Sequence, residues 1–287
     1  GVQFLRRKKN TIWASRNKHL DKVHVVLGKK SCDLDSLISA LAYAYYLEKV
    51  SPSNIVCLPV LNISRREICY HPETRFILEK LNIPESLHIF RDEINLYQLN
   101  SEGKLLLTLV HSSTLTSEDK NLESAVVKVI IPKEQNELLD SASCLVAKEL
   151  LRKAPELITQ PLAHLLRGSI LSKIMDEDAL KIPEEKEEVL SCLEEKFPEL
   201  SSRKDIITFL QEAQLHADGT LRIEEALVKD LKEVSDGEIK VAVSTIYINL
   251  EVRKNQTGGF HQKLPEGSSC SPSLSATWCV TNVYKWA

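Results

Sequence analysis

The chain has 287 residues, of which 43% are hydrophobic and 27% charged, and its formal net charge at pH 7 is −3. This length is enough for one large or two modest domains with a substantial core, and the slightly acidic balance argues against a general nucleic-acid binder. No run of the sequence approaches the roughly 18 apolar residues that a membrane-spanning helix needs, so no transmembrane segment is expected.

The first 22 residues form a basic segment with seven Lys or Arg and a single acid, Asp21. Interleaved apolar side chains, such as Phe4 and Trp13, allow an amphipathic helix here. A solvated basic helix is the preferred interpretation, and a nuclear or membrane address is the alternative.

The segment from Val23 to Leu47 organises the rest of the chain. An apolar strand, His24–Leu27, is followed by a glycine, a polar turn and apolar residues at helical spacing. Asp33 and Asp35 stand where this helix begins, and Asp35 or Ser36 can cap it. Open α/β sheets bind their ligands at such strand-to-helix junctions. The two acids are therefore either metal ligands or a good helix start.

Short apolar runs and helical patterns alternate after this segment, which predicts a parallel sheet with right-handed crossovers. Further strands are predicted at Ile55–Leu61, Leu87–Phe90, Lys104–Val110 and Ala125–Ile131. Helices are predicted at Glu73–Leu81, Ser143–Leu151, Pro161–Arg167 and Glu184–Phe197.

A second module is predicted to begin near Pro198. It contains two helical faces, at 206–210 and 223–234, and then an alternating strand at 239–250. The apolar residues of this strand change parity midway, which predicts a bulge near Ser244–Thr245.

Residues 252–287 show no amphipathic period, and they are predicted to form a flexible tail. Nothing in this tail is typical of a strand. The strand at 239–250 would then lack most of its expected neighbours in a sheet.

Three motifs occur in order along the chain: HVVLG-x-x-x-CDLDS from His24, PVLNI-x-R from Pro59, and IPES-x-x-IFRDEI from Ile83. With these motifs, the chain resembles the prune branch of the DHH phosphoesterase superfamily over about residues 20–251. The resemblance implies an α/β fold with a DHH-type parallel sheet flanked by helices. The implied domains are a basic segment (1–22), a DHH-like domain (23–197), an incomplete DHHA2-like α/β module (198–251) and an atypical tail (252–287).

An active member of this family is expected to hold two divalent metals, usually Mn²⁺ or Mg²⁺, among carboxylates and histidines. By the resemblance, Asp33 and Asp35 keep the two acids of the first family motif. Glu73 stands for the acid of the second motif, so these three form a remnant metal-ligand set. Lys29 replaces the amide of the first motif.

The remaining ligand positions of the family are altered. The defining D-H-H reads His111-Ser112-Ser113, and a later D-H is Ile131-Pro132. The H-G-T-x-x-x-D motif begins at Arg167 and ends at Lys173. The degenerate catalytic positions are therefore His111, Ser112, Ser113 and Lys173.

The charge count decides against two-metal catalysis. Three remaining carboxylates and the two lysines sum to about −1, whereas two dications bring four positive charges. Protonated lysine supplies no ligand to Mg²⁺ or Mn²⁺. No cofactor is expected, and if one is bound it is Mn²⁺ or Mg²⁺.

Three interpretations of the substituted cations remain open. In the first, these cations are surface residues whose identity has drifted. In the second, Lys29 and Lys173 pair with the two aspartates and close the pocket. In the third, Arg167 with a lysine binds a phosphate-bearing ligand without hydrolysing it. Lys229 belongs to the phosphate-binding candidates, because it matches part of an R-K-D motif of DHHA2 domains whose arginine is Val228 here.

The leading functional hypothesis is a catalytically degenerate interaction or regulatory module that binds protein partners. A small phosphate-bearing ligand is a further candidate partner. The resemblance implies links to cell survival, differentiation and apoptosis. The alternative is a weak Mn- or Mg-dependent pyrophosphatase, short-chain exopolyphosphatase or cyclic-nucleotide phosphodiesterase. Seven cysteines without a CxxC pair favour a reducing, cytoplasmic compartment.

Overall fold

A computed structural model describes residues 21–30, 32–80, 83–131, 141–172, 182–220, 232–235, 239–247, 268–272 and 277–285. The chain divides into two compact units. One unit comprises Gly1–Ile68 with Thr74–Ala213, and the other comprises Cys69–Glu73 with Gln214–Ala287. The predicted basic helix lies, up to residue 20, outside the described residues.

The first unit contains a four-stranded sheet in the order β2-β1-β3-β4, with all neighbours parallel. Its strands are β1 (Lys22–Leu27), β2 (Ile55–Val60), β3 (Leu105–Val110) and β4 (Val126–Ile130). Three of the strands, β1, β2 and β3, are buried almost continuously, as expected for parallel strands covered on both faces. The predicted parallel α/β sheet is thus confirmed.

Helices cover both faces of this sheet. They are α1 (Leu34–Val50), α2 (Pro72–Lys80), α3 (Leu96–Ser101), α4 (Ala142–Lys153), α5 (Gln160–Ser172), α6 (Glu184–Lys196) and α7 (Arg203–Thr220). Short 3₁₀ turns lie at Arg65–Tyr70, Glu85–Leu87, Arg91–Glu93, Ser117–Ala125 and Pro155–Leu157. The central helix α1 is buried along most of its length and contacts β2, α4 and α5. None of the described helices is long and apolar enough to cross a membrane.

The predicted strand at Leu87–Phe90 is wrong. Glu85–Leu87 forms a 3₁₀ turn, and Phe90 alone makes a single parallel bridge, to Leu61. The N–H of Leu61 donates to the carbonyl of Ile89 at 2.9 Å, but the preceding donor position on β2 is Pro59, which has no N–H, so the ladder does not extend.

The first unit extends beyond the predicted boundary at residue 198. Ile206, Leu210 and Ala213 of α7 are buried in the same core as α1 and α5. The helical face predicted at 206–210 is confirmed, and it packs on the first unit.

The described part of the second unit contains a four-stranded antiparallel sheet in the order β5-β6-β8-β7. Its strands are β5 (Lys232–Ser235), β6 (Ile239–Tyr247), β7 (Ser268–Pro272) and β8 (Thr277–Lys285). Residues 232–235 were predicted to end a helix, and they form a strand instead. Residues 223–231 of that predicted helical face lie outside the description.

Two predictions for this unit are corrected by the pairing of β6 with β8. The register runs without a shift from Ile239 opposite Lys285 to Tyr247 opposite Thr277, so no bulge interrupts Ser244–Thr245. The described part of β6 is therefore one regular strand. The segment predicted as a tail supplies β8, whose TWCVTNVYK sequence is rich in the β-branched and aromatic residues that strands favour.

Candidate functional site

The carboxyl ends of β1 and β3 meet at the point where the chain leaves the sheet in opposite directions. β1 connects through α1 to β2 on one side, and β3 lies on the other. Gly28 follows β1, and an added Cβ there would lie 3.1 Å from the carbonyl oxygen of Ser36. Glycine therefore permits the turn to lie directly on the first turn of α1. This crevice is where doubly wound sheets bind ligands.

Asp33 is the N-cap of α1. Its Oδ1 accepts a hydrogen bond from the backbone N–H of Ser36 at 2.8 Å, and its side chain is 32% exposed. The sequence predicted Asp35 or Ser36 as the cap, and both instead lie inside the first turn. Asp35 is thereby directed into the protein interior.

Asp35 is completely buried, and both of its carboxylate oxygens accept hydrogen bonds. Oδ1 accepts from the hydroxyls of Ser141 (2.8 Å) and Ser169 (3.0 Å) and from the N–H of Ser143 (3.1 Å). Oδ2 accepts from the N–H of Ala142 at 2.7 Å. These amides belong to the first turn of α4, so the carboxylate lies at the positive end of that helix.

His111 lies across the two aspartates at the end of β3. Its Nδ1 is 3.5 Å from Oδ1 of Asp33, 3.5 Å from Oδ2 of Asp35 and 3.0 Å from Oγ of Ser36. Its backbone has a φ of 59°, in the left-handed region. A non-glycine residue in this region is uncommon, so the geometry at the strand end is strained. The structure thus brings together three of the predicted site residues.

The other degenerate positions point elsewhere. The hydroxyl of Ser112 donates to the carbonyl of Thr114 at 2.8 Å, and Ser113 is exposed. Lys29 is half-buried, and no ion pair joins it to either aspartate in the described structure. Lys173 and Lys229 lie outside the described residues, and so does the side chain of Glu73, whose backbone is in α2.

Arg167 has partners remote from the two aspartates. It is 3% exposed, its Nε donates to Oε1 of Glu194 at 2.6 Å, and its Nη1 donates to the carbonyl of Ser201. Hydrogen bonds from Arg203 lower the pKa of Glu194 below its usual value, burial opposes this, and Arg167 adds to the lowering. The guanidinium predicted to bind phosphate therefore joins α5 to α6 and to the segment before α7.

The carboxylate of Asp35 is engaged unequally by donors of α4 and α5. Oδ1 accepts three hydrogen bonds, whereas Oδ2 accepts one and keeps a second lone pair, and Mg²⁺ or Mn²⁺ requires such a lone pair from each carboxylate ligand. In the residues that the structure describes, no group of three or more His, Cys, Asp or Glu side chains could hold a metal ion.

The sequence reasoning missed the three serines that surround Asp35. Ser141 caps α4 by accepting from the N–H of Cys144 at 3.2 Å, and serine before an apolar helix is a recognisable cap signal. Its second role, as a donor to a carboxylate more than a hundred residues earlier, has no local signal. Ser143 and Ser169 are likewise recognisable only once α1, α4 and α5 are packed together.

Comparisons with known proteins find similar sequences. No protein-family model matches the chain. It is 62% identical over 253 residues to Protein prune homolog 2 of Mus musculus, which covers 87% of this chain and 8% of that protein. It is 41% identical over 257 residues to the exopolyphosphatase PRUNE1 of Homo sapiens, covering 83% of this chain and 56% of that one.

A similar match to the exopolyphosphatase PRUNE1 of Bos taurus is 41% identical and covers 82% of this chain and 55% of that protein. The chain therefore spans about half the length of the PRUNE1 proteins and less than a tenth of prune homolog 2. Among solved structures, a putative family II inorganic pyrophosphatase of Methanococcus jannaschii aligns with a TM-score of 0.45 at 22% identity, covering 76% of this chain and 69% of that one.

Proposed function

The chain belongs to the prune family, and from that premise we propose that this part of the protein is a catalytically inactive domain that acts by binding other proteins. The observation that carries the proposal is the state of Asp35, whose buried carboxylate accepts four hydrogen bonds from the protein. A prune-type hydrolase needs this carboxylate for metal, and here it holds α4 and α5 on α1.

The energetic argument follows from the number of donors. A hydrogen bond to a charged group contributes about 1.5–3 kcal/mol, so a metal ion that took Asp35 from its partners would forfeit several such contributions. It would also leave buried N–H groups of α4 orphaned. A cation at this position must therefore overcome a cost that an exposed ligand set does not impose.

The chemistry of the neighbouring position supports the same proposal. His111 takes the place that the family resemblance gives to an acid, and Ser112 and Ser113 stand where two imidazoles are expected. Arg167 is committed to Glu194, which removes the best candidate for binding a phosphate. With Asp35 and Arg167 both engaged in holding helices together, the role left for this α/β scaffold is binding.

We assign the domain to the cytoplasm within the same proposal. Cys32, Cys144 and Cys192 carry free thiols, and that of Cys192 lies on the surface. Exposed free thiols are typical of a reducing compartment. The roles in survival, differentiation and apoptosis that the resemblance implies belong to this proposal.

A second candidate function is a weak Mn- or Mg-dependent hydrolase of pyrophosphate, short polyphosphate or cyclic nucleotide. It is favoured by one observation: Asp33 and Asp35 both lie at the switch point of the sheet, and Asp33 is one-third exposed. The name exopolyphosphatase, which belongs to the 41%-identical relatives, is consistent with it.

Phosphate release separates the two functions. The chain is incubated with pyrophosphate, tripolyphosphate and cyclic AMP in the presence of Mn²⁺, Mg²⁺ or EDTA, with human exopolyphosphatase PRUNE1 in parallel. We expect release by the chain to equal the EDTA blank. Metal-dependent release that falls in the Asp33→Asn variant would favour the hydrolase instead, because asparagine preserves the helix cap while removing the charge.

The binding role is tested with the same variant. Proteins that co-purify with the chain from cytosol are compared between wild type and Asp33→Asn. The proposal requires the same set from both, because the substitution alters only the remnant acid. Loss of the set in Asp33→Asn would tie binding to the old catalytic crevice.

A further inference from the structure

A second candidate site lies in the first unit, at a cavity that the proposed function does not use. The cavity has a volume of about 360 Å³ and opens between α1, α2, α5 and α7. Its walls are mainly apolar and include Ile38, Ile77 and Phe209. Volumes of a few hundred Å³ with apolar walls and few polar groups are typical of small-molecule sites.

The polar lining is small and carries one sign of charge. His164, Ser201 and Asp205 contribute the polar groups of the α5 and α7 side. Burial, assisted by the charge of Arg167, lowers the pKa of His164 below its ordinary value, so its imidazole is neutral at pH 7. Among the described residues that line the cavity, Asp205 therefore carries the one charged side chain.

Asp205 keeps acceptor capacity in spite of its structural role. Its Oδ2 accepts from the N–H of Ser202 at 3.3 Å, and its own N–H donates to the hydroxyl of Ser202 at 3.1 Å. This reciprocal pair begins α7. Within the described residues Oδ1 accepts no hydrogen bond, so it is available to a ligand at the exposed rim.

The cavity has open space beside Gly168 on α5. A Cβ added at Gly168 would have no neighbour closer than Ile206 Cγ2, at 4.0 Å. The adjacent Ser169 lines the same cavity and donates to Asp35. A ligand here would therefore contact the network that holds α1, α4 and α5 together.

We propose that this cavity binds a small organic amine, with an apolar body against Phe209 and the aliphatic walls and an ammonium group at Asp205. The neutral imidazole of His164 supplies a further hydrogen-bonding group. The same charge disfavours anions, because a carboxylate or phosphate head would meet Asp205 with no cation among the described lining residues to balance it. The proposal for this cavity does not depend on whether the domain is catalytically inactive.

The preference for a positively charged head group is tested with three probes that share an indole ring and differ in the head group: tryptamine, tryptophol and indole-3-acetate. Binding to the full chain is measured by saturation-transfer NMR and by calorimetry. We expect tryptamine to bind, tryptophol to bind about tenfold more weakly, and indole-3-acetate not to bind, because only the first forms a charge-assisted bond. No binding of tryptamine, or equal binding of all three, would overturn the proposal.

Substitutions then locate the binding. Gly168→Val fills the cavity from α5, and Ser201→Trp blocks it from the exposed rim without changing the core. Each is expected to abolish tryptamine binding, and Ser201→Trp decides the matter if Gly168→Val does not fold. Asp205→Asn keeps an acceptor for Ser202 and should reduce tryptamine to the affinity of tryptophol.

Glu123→Gln provides the matched control, because it removes one exposed carboxylate of the same unit away from the cavity. Its affinity for tryptamine should equal that of wild type. Tryptamine binding that survives both blocking variants, or that falls equally in Glu123→Gln and Asp205→Asn, would refute the site.

Discussion

Replacing Asp35 with asparagine tests whether this acid is a structural anchor. Asparagine has nearly the same shape, but one oxygen becomes an NH₂ donor. In one orientation this donor faces the N–H of Ala142, whose present distance to Oδ2 is 2.7 Å. In the flipped orientation it faces three donors, including the fixed N–H of Ser143. Either way at least one buried backbone donor of α4 is left without an acceptor.

The expected cost has two parts. Loss of a charge-assisted hydrogen bond with an orphaned buried N–H costs about 1.5–3 kcal/mol. Loss of the negative charge at the N-terminus of α4 adds up to about 2 kcal/mol in a buried geometry. Together they predict a loss of roughly 2–5 kcal/mol in the free energy of unfolding of the first unit, a large share of the ordinary stability of a domain.

Hydrogen exchange of the amides of Ala142 and Ser143, with EDTA present, measures this loss where it arises. We expect their free energy of opening to fall by the predicted amount in Asp35→Asn. The matched control is Asp33→Asn, which keeps an equally good N-cap and should stay within about 0.5 kcal/mol of wild type. A loss below about 1 kcal/mol in Asp35→Asn would refute the anchor. So would a Mn²⁺-dependent stabilisation of wild type that both variants lack.

Three further predictions concern neighbouring positions. Gly168→Ala should raise the melting temperature, by about 0.5–1 kcal/mol of stability, because α5 gains helix propensity and the nearest atom to the new Cβ is 4.0 Å away. Glu194→Gln should cost about 1–3 kcal/mol at pH 7, because buried Arg167 loses its anion. Folding lowers the pKa of Glu194, so the stabilisation that its charge provides is fully present above the usual value of 4.5 and is lost as pH falls through the lowered pKa. Urea unfolding from pH 7 to pH 3 should therefore show the free energies of unfolding of wild type and Glu194→Gln converging. His111→Asp should destabilise the chain by roughly 1–3 kcal/mol, because a third carboxylate would stand near Asp33 and Asp35, and Mn²⁺ should not restore its melting temperature.

The parallel sheet could be predicted from the sequence because its information is local. Buried parallel strands such as β3, with the sequence LLLTLV, are apolar runs that need no knowledge of their neighbours. The helices between them show an apolar period for the same reason. The sequence does not determine the role of a residue whose partners lie far along the chain. By residue type, Asp33, Asp35 and Ser36 can each cap the helix, and only packing against α4 and α5 directs Asp35 inward.

The second sheet and the serines of the site required long-range information. β8 contains strand-favouring residues, but its pairing with β6 joins residues 30 to 46 positions apart in sequence, from Tyr247 with Thr277 to Ile239 with Lys285. Propensity alone is weak evidence for such a strand. Ser143 and Ser169 are ordinary helix residues until α4 and α5 meet α1, because a serine gives no signal that its hydroxyl will meet a buried carboxylate.

The retention of an acid at position 35 and the replacement of the acid expected at 111 are physically consistent. Asp35 stabilises α4 through backbone donors whether or not a metal is bound, so losing the metal does not make this carboxylate dispensable. An acid at 111 would face Asp33 and Asp35 with no helix end to balance it, and without a cation it would only repel them. An imidazole there can hydrogen-bond to the hydroxyl of Ser36 and lie between the aspartates in either charge state. Asp33 caps α1 and Asp35 holds α4 and α5 on α1, and both of these structural roles are independent of a metal.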